Sequence, residues 1–227
     1  MPAGGRFRYR IVTVARVRRL ADGKEAQWSK AKWIQQTESN PNHSSWYVER
    51  FRTMAAEGKD LAGEARLVDA MAPRNARILD AGCGPGRVGA FLHAAGHEVV
   101  GVDVDPVLIA AAIEDHAGPT WLVSDLAELD LPAAGIAEGF DLISCVGNVM
   151  TFLAPSTRQE VLRRLGLHLR EGGRIVTGFG RGRDYEFDDF FADVAAADLV
   201  VDLKLSTFDV TPFTDESDFL VAVLRSA

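Results

Sequence analysis

From residue 76 onward the chain alternates two kinds of hydrophobic pattern. ARILDAG, TWLVSDL, FDLISCV and RIVTGFG are short, nearly continuous apolar runs of strand length, as is HEVVGVDVD. Between them lie segments with apolar residues three and four apart: RVGAFLHAA, PVLIAAAIEDH, RQEVLRRLGLHLR and FDDFFADVAAA. The first kind predicts strands buried on both faces and the second amphipathic helices. Pro106 suits a helix first turn, Ser156 and Gln159 have the spacing of a capping box, and Gly172-Gly173 predicts a helix stop. LVVDLKLSTFDV and DFLVAVLRS read as two closing strands joined by a Pro- and Asp-containing loop, hence antiparallel. Upstream, TESNPNHSS reads as a loop, with Ser44 or Ser45 as a helix cap. The stretch from Trp46 to Met71 reads as two helical pieces broken near Gly58. Strand and helix in alternation predict an α/β fold, a doubly wound, mostly parallel sheet with helices on both faces. The ligand then belongs at the carboxyl ends of the strands.

Charge adds a division to this picture. Net charge is −7, which argues against nucleic acid as a partner of the whole chain. Yet the start carries Arg6, Arg8, Arg10, Arg16, Arg18 and Arg19 and no acid before Asp22. We therefore divide the chain into a basic extension at 1–36, expected to be disordered, and a domain at 37–227 whose residues 44–72 form a helical lid. No apolar run has the length of a membrane span. Cys83 and Cys145, without a C-x-x-C, fit a reducing cytoplasm and a role as small buried apolar residues on neighbouring strands. The five histidines show no metal spacing; His93, His97, His116 and His168 read as solvated, and no metal site is expected.

The first strand runs into glycines. Gly84-Pro85-Gly86-Arg87-Val88-Gly89 satisfies the dinucleotide fingerprint G-x-G-x-x-G. Glycines before a helix N-terminus bring free N–H groups close to a ligand. Asp80, two residues before Gly82, speaks against a dinucleotide, because its carboxylate would repel a pyrophosphate. It suits a ligand with an ammonium or sulfonium charge. The full pattern, Asp80-Ala81-Gly82-Cys83-Gly84-Pro85-Gly86, is closer to D-x-G-x-G-x-G.

That pattern resembles motif I of the class I S-adenosylmethionine (SAM)-dependent methyltransferases. The resemblance covers residues 44–227 and implies the strand order 3-2-1-4-5-7-6 with an antiparallel last strand. It implies SAM as cofactor and S-adenosylhomocysteine as its product. By it, Asp103 is the acid that holds the ribose hydroxyls, Val104 flanks the adenine, and Asp125 accepts from the adenine amino group. Asp80 steers the methionine ammonium. Gly82, Cys83, Gly84, Gly86, Leu126 and Val146 complete the expected cofactor site.

Methyl transfer from a sulfonium needs alignment and dryness more than an elaborate catalytic set. After the fourth strand the chain reads VGNVMTFL, without the [D/N]-P-P-aromatic motif of enzymes that methylate base amines. The segment resembles the G-N-x-x-x-H-L form of small-molecule methyltransferases, with Phe152 in place of the His. Asn148, which carries both a donor and an acceptor, is the expected catalytic residue and acceptor contact. Trp46 and Tyr47, with Phe51, are expected in a substrate lid packed over the cofactor, with Trp46 and Tyr47 binding the acceptor, and Arg181, Arg183 and Tyr185 in GRGRDYEFDD are expected at the acceptor as well. The expected partner is a small-molecule methyl acceptor, with the protein a monomer or homodimer. The other readings are a module that binds SAM without chemistry and an RNA- or protein-directed methyltransferase using the basic arm.

Overall fold

A computed structural model describes residues 30–227; the expected basic arm lies outside the described residues, except for its last few positions. Three helices come first: α1 (Lys32–Ser39), α2 (His43–Ala56) and α3 (Gly63–Met71). Then follow β1 (Arg77–Ala81), α4 (Arg87–Ala94), β2 (Glu98–Asp103), α5 (Pro106–Asp115), β3 (Thr120–Val123) and β4 (Phe140–Cys145). The chain continues through α6 (Val149–Phe152), α7 (Arg158–Leu167), β5 (Leu169–Gly180), α8 (Phe187–Ala196), β6 (Leu199–Leu205) and β7 (Phe219–Ser226). The seven strands form one sheet in the order β3-β2-β1-β4-β5-β7-β6, with β7 antiparallel to both neighbours, as expected.

Both faces of the sheet are covered, which explains the continuous apolar runs. Leu79, Ile143, Phe179 and Leu224 meet α7 and α8 on one face. Ile78, Leu142 and Val176 meet α3 and α4 on the other. A third side chain sets the packing beside β2. A Cβ on Gly101 would lie 2.2 Å from the Trp121 ring, and one on Gly86 or Gly89 would lie 2.9 Å from it. The three glycines form a slot for the indole, so the later glycines of the fingerprint serve the approach of α4 to the sheet.

Four local expectations give way to longer-range contacts. Helix α1 occupies Lys32–Ser39, across the division at residue 36 and into the expected loop, because Trp33 is buried against Val48, Leu108 and Ala111. Helix α2 starts at His43 with no side-chain cap; Ser44 is buried and bonded elsewhere. Helix α7 ends at Leu167, not at Gly172-Gly173, and has no capping box. Strand β5 begins at Leu169, which pairs with Phe140. Gly173 serves that pairing instead: a Cβ there would press on the carbonyls of Arg170 and Phe140, both at 2.9 Å. Lastly, His97 is buried rather than solvated. Its Nδ1 accepts from the Ala76 N–H at 3.1 Å and its Nε2 lies 2.9 Å from Asp69, tying α3 to the start of β1.

Candidate active site

At the end of β1 the backbone turns through Gly82 to Gly86 into α4. The N–H groups of Gly82 and Cys83 both donate to the Val102 carbonyl, which holds the loop against β2. Gly82 has φ +78°, and a Cβ there would sit 2.5 Å from Val149 Cγ2. No L side chain fits that combination of angle and space. The loop thereby stays thin where β1 and β4 part, at the switch point of the sheet.

Two buried carboxylates flank this loop. Asp80 Oδ2 accepts from the Gly89 N–H at 2.9 Å. Burial pushes its pKa up to about 7, against the pull of that N–H and of Arg87. Asp103, at the end of β2, accepts from Gly84 N–H through Oδ2 and from Asp105 N–H through Oδ1, both at 2.9 Å. Burial raises its pKa to about 6. Each Asp103 oxygen keeps a lone pair beyond these bonds, enough to accept two hydroxyl hydrogens. Asp125 is exposed after β3, and its Oδ1 takes the Ala127 N–H at 2.9 Å.

These acids open on one cleft. Gly82, Cys83 and Gly84 form its floor with Asp80 and Asp103. Val104, Leu108, Asp125 and Leu126 line one end, and Val146, Gly147, Val149, Phe152 and Leu153 line the other. Tyr47 and Phe51 of α2 and Trp33 of α1 cover it. The Trp33 ring stands edge-on to Tyr47 at 5.1 Å and to Phe152 at 5.8 Å. Arg87 also lines the cleft. It pairs with Glu64 of α3, donates to the Leu61 carbonyl and lies 5.5 Å from the centre of the Phe51 ring. The cation is thus spent on holding the helical cover. Burial raises the pKa of the Tyr47 hydroxyl, which stays protonated at neutral pH.

The structure brings together Asp80, Gly82, Cys83, Gly84, Asp103, Val104, Asp125, Leu126, Val146 and Tyr47. It places the other expected residues elsewhere. Gly86 is not among the lining residues; a Cβ on it would meet Trp121 and Ala112. Trp46 is 54% exposed, on the outer side of α2 beside His43 and Arg50. Tyr185 is fully buried: it stacks on Phe179, and its hydroxyl donates to Asp193 at 2.7 Å. The mixed charges around it hid a core residue. Arg181 is exposed, lies over the Phe187 ring and points to the Asp215 and Ser217 carbonyls. Arg183 is exposed as well and offers its carbonyl to Lys32. Cys83 lies in the loop rather than on a strand neighbouring Cys145, although both are buried.

Asn148 requires the largest correction. Its backbone is left-handed at φ +66°, and its Oδ1 accepts from the Gly180 N–H at 3.0 Å. The residues on either side of it line the cleft, but its carboxamide oxygen is taken up by the Gly180 N–H of β5. We expect Asn148→Ala to lower stability by about 1–3 kcal/mol, for the unsatisfied N–H and the left-handed angle. Asn148→Gly should recover part of this loss, and both should keep transfer per folded molecule near that of the parent. Thermal melts beside a turnover assay check this; a stable but slow Asn148→Gly protein would return Asn148 to the acceptor.

Sequence reasoning missed Trp33, Arg87 and Asp105. Only Asp105 left a local signal, as an Asp before a proline that opens a helix.

The cleft fits SAM by its chemistry. Two buried acids would meet a diol and a cationic amino acid moiety, with apolar walls at the end where the resemblance places adenine. The methyltransferase domain family matches residues 78–173. A TehB-like SAM-dependent methyltransferase from Corynebacterium glutamicum is 46% identical, with a TM-score of 0.78 over 83% of this chain and 100% of its own. A malonyl-[acyl-carrier protein] O-methyltransferase from Enterobacter lignolyticus is 30% identical over 115 residues, 51% of this chain and 43% of its own length. The 1,6-didemethyltoxoflavin-N1-methyltransferase of Burkholderia thailandensis, solved with S-adenosylhomocysteine, shares the fold. It has 19% identity and a TM-score of 0.56 over 82% of this chain and 89% of its own. The chain spans less than half the length of the curated relatives it matches. Among the described residues, no helix is long and apolar enough to cross a membrane. The likeness to the Corynebacterium protein runs through that protein's whole length and places this chain in the class I SAM-dependent methyltransferases.

Proposed function

We propose that the protein transfers the methyl group of SAM to a nitrogen or oxygen of a small molecule by in-line displacement. The observation that carries this reading is the position of α1. Its Trp33 lies over the cleft and is bonded to Asp105 after β2, and its Lys32 Nζ donates to Arg183 O and Asp184 Oδ2 after β5. Among the described residues, a helix strapped across the strand ends supports a small acceptor rather than a polymer. The B. thailandensis neighbour, by its name, methylates a small heterocycle; the carrier-protein enzyme shows that relatives also serve other acceptors.

When bound, SAM supplies an electrophilic methyl on a positively charged sulfur. Asp103 would hold the ribose hydroxyls, with Gly84 N–H fixing its carboxylate. Asp80 would face the methionine ammonium and Asp125 the adenine amino group, with Val104 and Leu126 at the ring faces. Trp33, Tyr47, Phe51 and Phe152 would exclude water and fix the line of approach, an entropic gain rather than acid–base work. Tyr47, held protonated, would donate a hydrogen bond and not act as base. An acceptor with a free lone pair at neutral pH suits such a site. The buried, free Cys83 and Cys145 fit a cytoplasmic setting.

The test is incubation of a fractionated metabolite extract with methyl-labelled SAM, followed by mass spectrometry. Label in a small molecule is the expected outcome. Label confined to protein or RNA would overturn the small-molecule reading.

A further inference from the structure

Asp105 is a buried carboxylate that no cofactor role accounts for. It is 4% exposed, and its hydrogen bonds run in two directions. Within its own segment, its N–H donates to Asp103 Oδ1 at 2.9 Å and its Oδ1 accepts from Val107 N–H at 2.8 Å, capping α5. Toward the N-terminal helices, its Oδ2 accepts from Trp33 Nε1 at 2.8 Å and from Ser44 Oγ at 2.5 Å. One side chain therefore joins α1, α2 and α5, while its own N–H fixes the acid at the end of β2.

The Trp33 indole completes the connection. Its N–H points to Asp105, and its ring lines the cleft and meets Tyr47 and Phe152. Among the described residues, α1 is otherwise held by the apolar packing of Trp33 on Val48, Leu108 and Ala111 and by an ion pair. The Lys32–Asp184 pair is largely exposed on the acid's side, 84%, and such pairs contribute little. A charge-assisted bond to a buried carboxylate is worth more.

We propose that Asp105 is a positioning residue that makes the seating of α1 and α2 over the cleft depend on occupation of Asp103. A ligand held by Asp103 fixes the Asp103–Asp105 segment, and the same segment presents Oδ2 to Trp33 and Ser44. By linkage, seated helices tighten ligand binding as much as the ligand tightens the helices. The proposal rests on the reading of Asp103 as the ribose acid.

Asp105→Asn keeps the cap on α5 through Oδ1 but turns an amide donor toward the Trp33 N–H. Trp33→Phe removes the same bond from the other side and leaves the cap untouched. Both should weaken SAM binding about three- to thirtyfold, a part of the roughly ten- to hundredfold worth of one hydrogen bond to a charged group, because the bond acts on SAM only through the seated helices. Combined, they should weaken it by less than the two effects added together, since both break the Trp33–Asp105 bond, although Asp105→Asn also disturbs the Ser44 bond. Hydrogen exchange should show SAM protecting amides in 31–56 and in 80–90 of the parent. In the variants, saturating SAM should protect only 80–90. A purely structural role would lower the melting temperature and leave this split unchanged. If either folded variant shows parental affinity and parental protection of 31–56, the proposal is overturned, and Trp33→Phe keeps the test open should Asp105→Asn not fold. Asp103→Ala, run alongside, separates the two readings. Parental affinity there removes the ribose assignment, whereas weak binding there with intact Asp105→Asn removes only the coupling.

Discussion

Replacing Asp103 by Ala should weaken SAM binding about ten- to a hundredfold, the loss of roughly 1.5–3 kcal/mol from charge-assisted hydrogen bonds. The fold should survive. The substitution leaves the Gly84 and Asp105 N–H groups without their acceptor, but it also removes a carboxylate that burial already strains. Calorimetric titration gives the affinity, and a thermal melt of the same sample shows that the protein is folded. The pH dependence has a definite sign. With a folded pKa of about 6, Asp103 is ionised above that pH and protonated below it. SAM affinity of the parent should therefore fall as pH is lowered through 6, and Asp103→Ala should lose that part of the dependence. Parental affinity in the variant would mean that the ribose lies elsewhere.

Asp80→Asn should separate stability from activity. The folded pKa of Asp80, about 7, lies above the usual carboxylate value, so the ligand-free native state binds a proton more tightly than the unfolded chain. Stability from this group is fully present below the unfolded pKa, near 4, and is lost as pH rises through the folded pKa. Asn keeps an oxygen for the Gly89 N–H and carries no charge to bury. The variant should be more stable than the parent at pH 8, by on the order of 2–4 kcal/mol at most, with the gain disappearing near pH 4. Its SAM affinity should fall, because the ionised carboxylate faces the ammonium in the parent. Binding of that cation should release protons from parental Asp80 near neutral pH, visible as a binding heat that changes with the buffer. Melts at pH 4, 6 and 8 test the stability side. A variant less stable than the parent at pH 8 would show that Asp80 is held in its charged form without strain.

The parts legible in the sequence were those encoded by local patterns. Each strand of the parallel core is an apolar run bounded by Gly or Pro. The acids at Asp80 and Asp103 stand at strand ends, where an open α/β sheet binds its ligand. The strand order came from the family resemblance rather than from periodicity. What escaped was long-range. Helix α1 carries little local sign of its role, because Trp33 needs Asp105, 72 positions away, to explain its burial. Arg87 lies within the fingerprint, where the pattern leaves it without a role, yet its partner Glu64 lies in another helix. Tyr185 sat among charges and proved to be core. Asn148 follows β4 as the local pattern suggests, but the partner of its Oδ1, the Gly180 N–H, belongs to β5, far along the chain. In each case the local sequence gave the position along the chain but not the side chain's partner.

The central claim is that the glycine loop and its two acids bind SAM rather than a dinucleotide. The most direct measurement is calorimetric titration of the full chain with SAM and, separately, with NAD at pH 7.5–8, where both acids are largely or fully ionised. Saturable heat with SAM and none with NAD is the predicted result. Saturable heat with NAD and none with SAM would contradict the account.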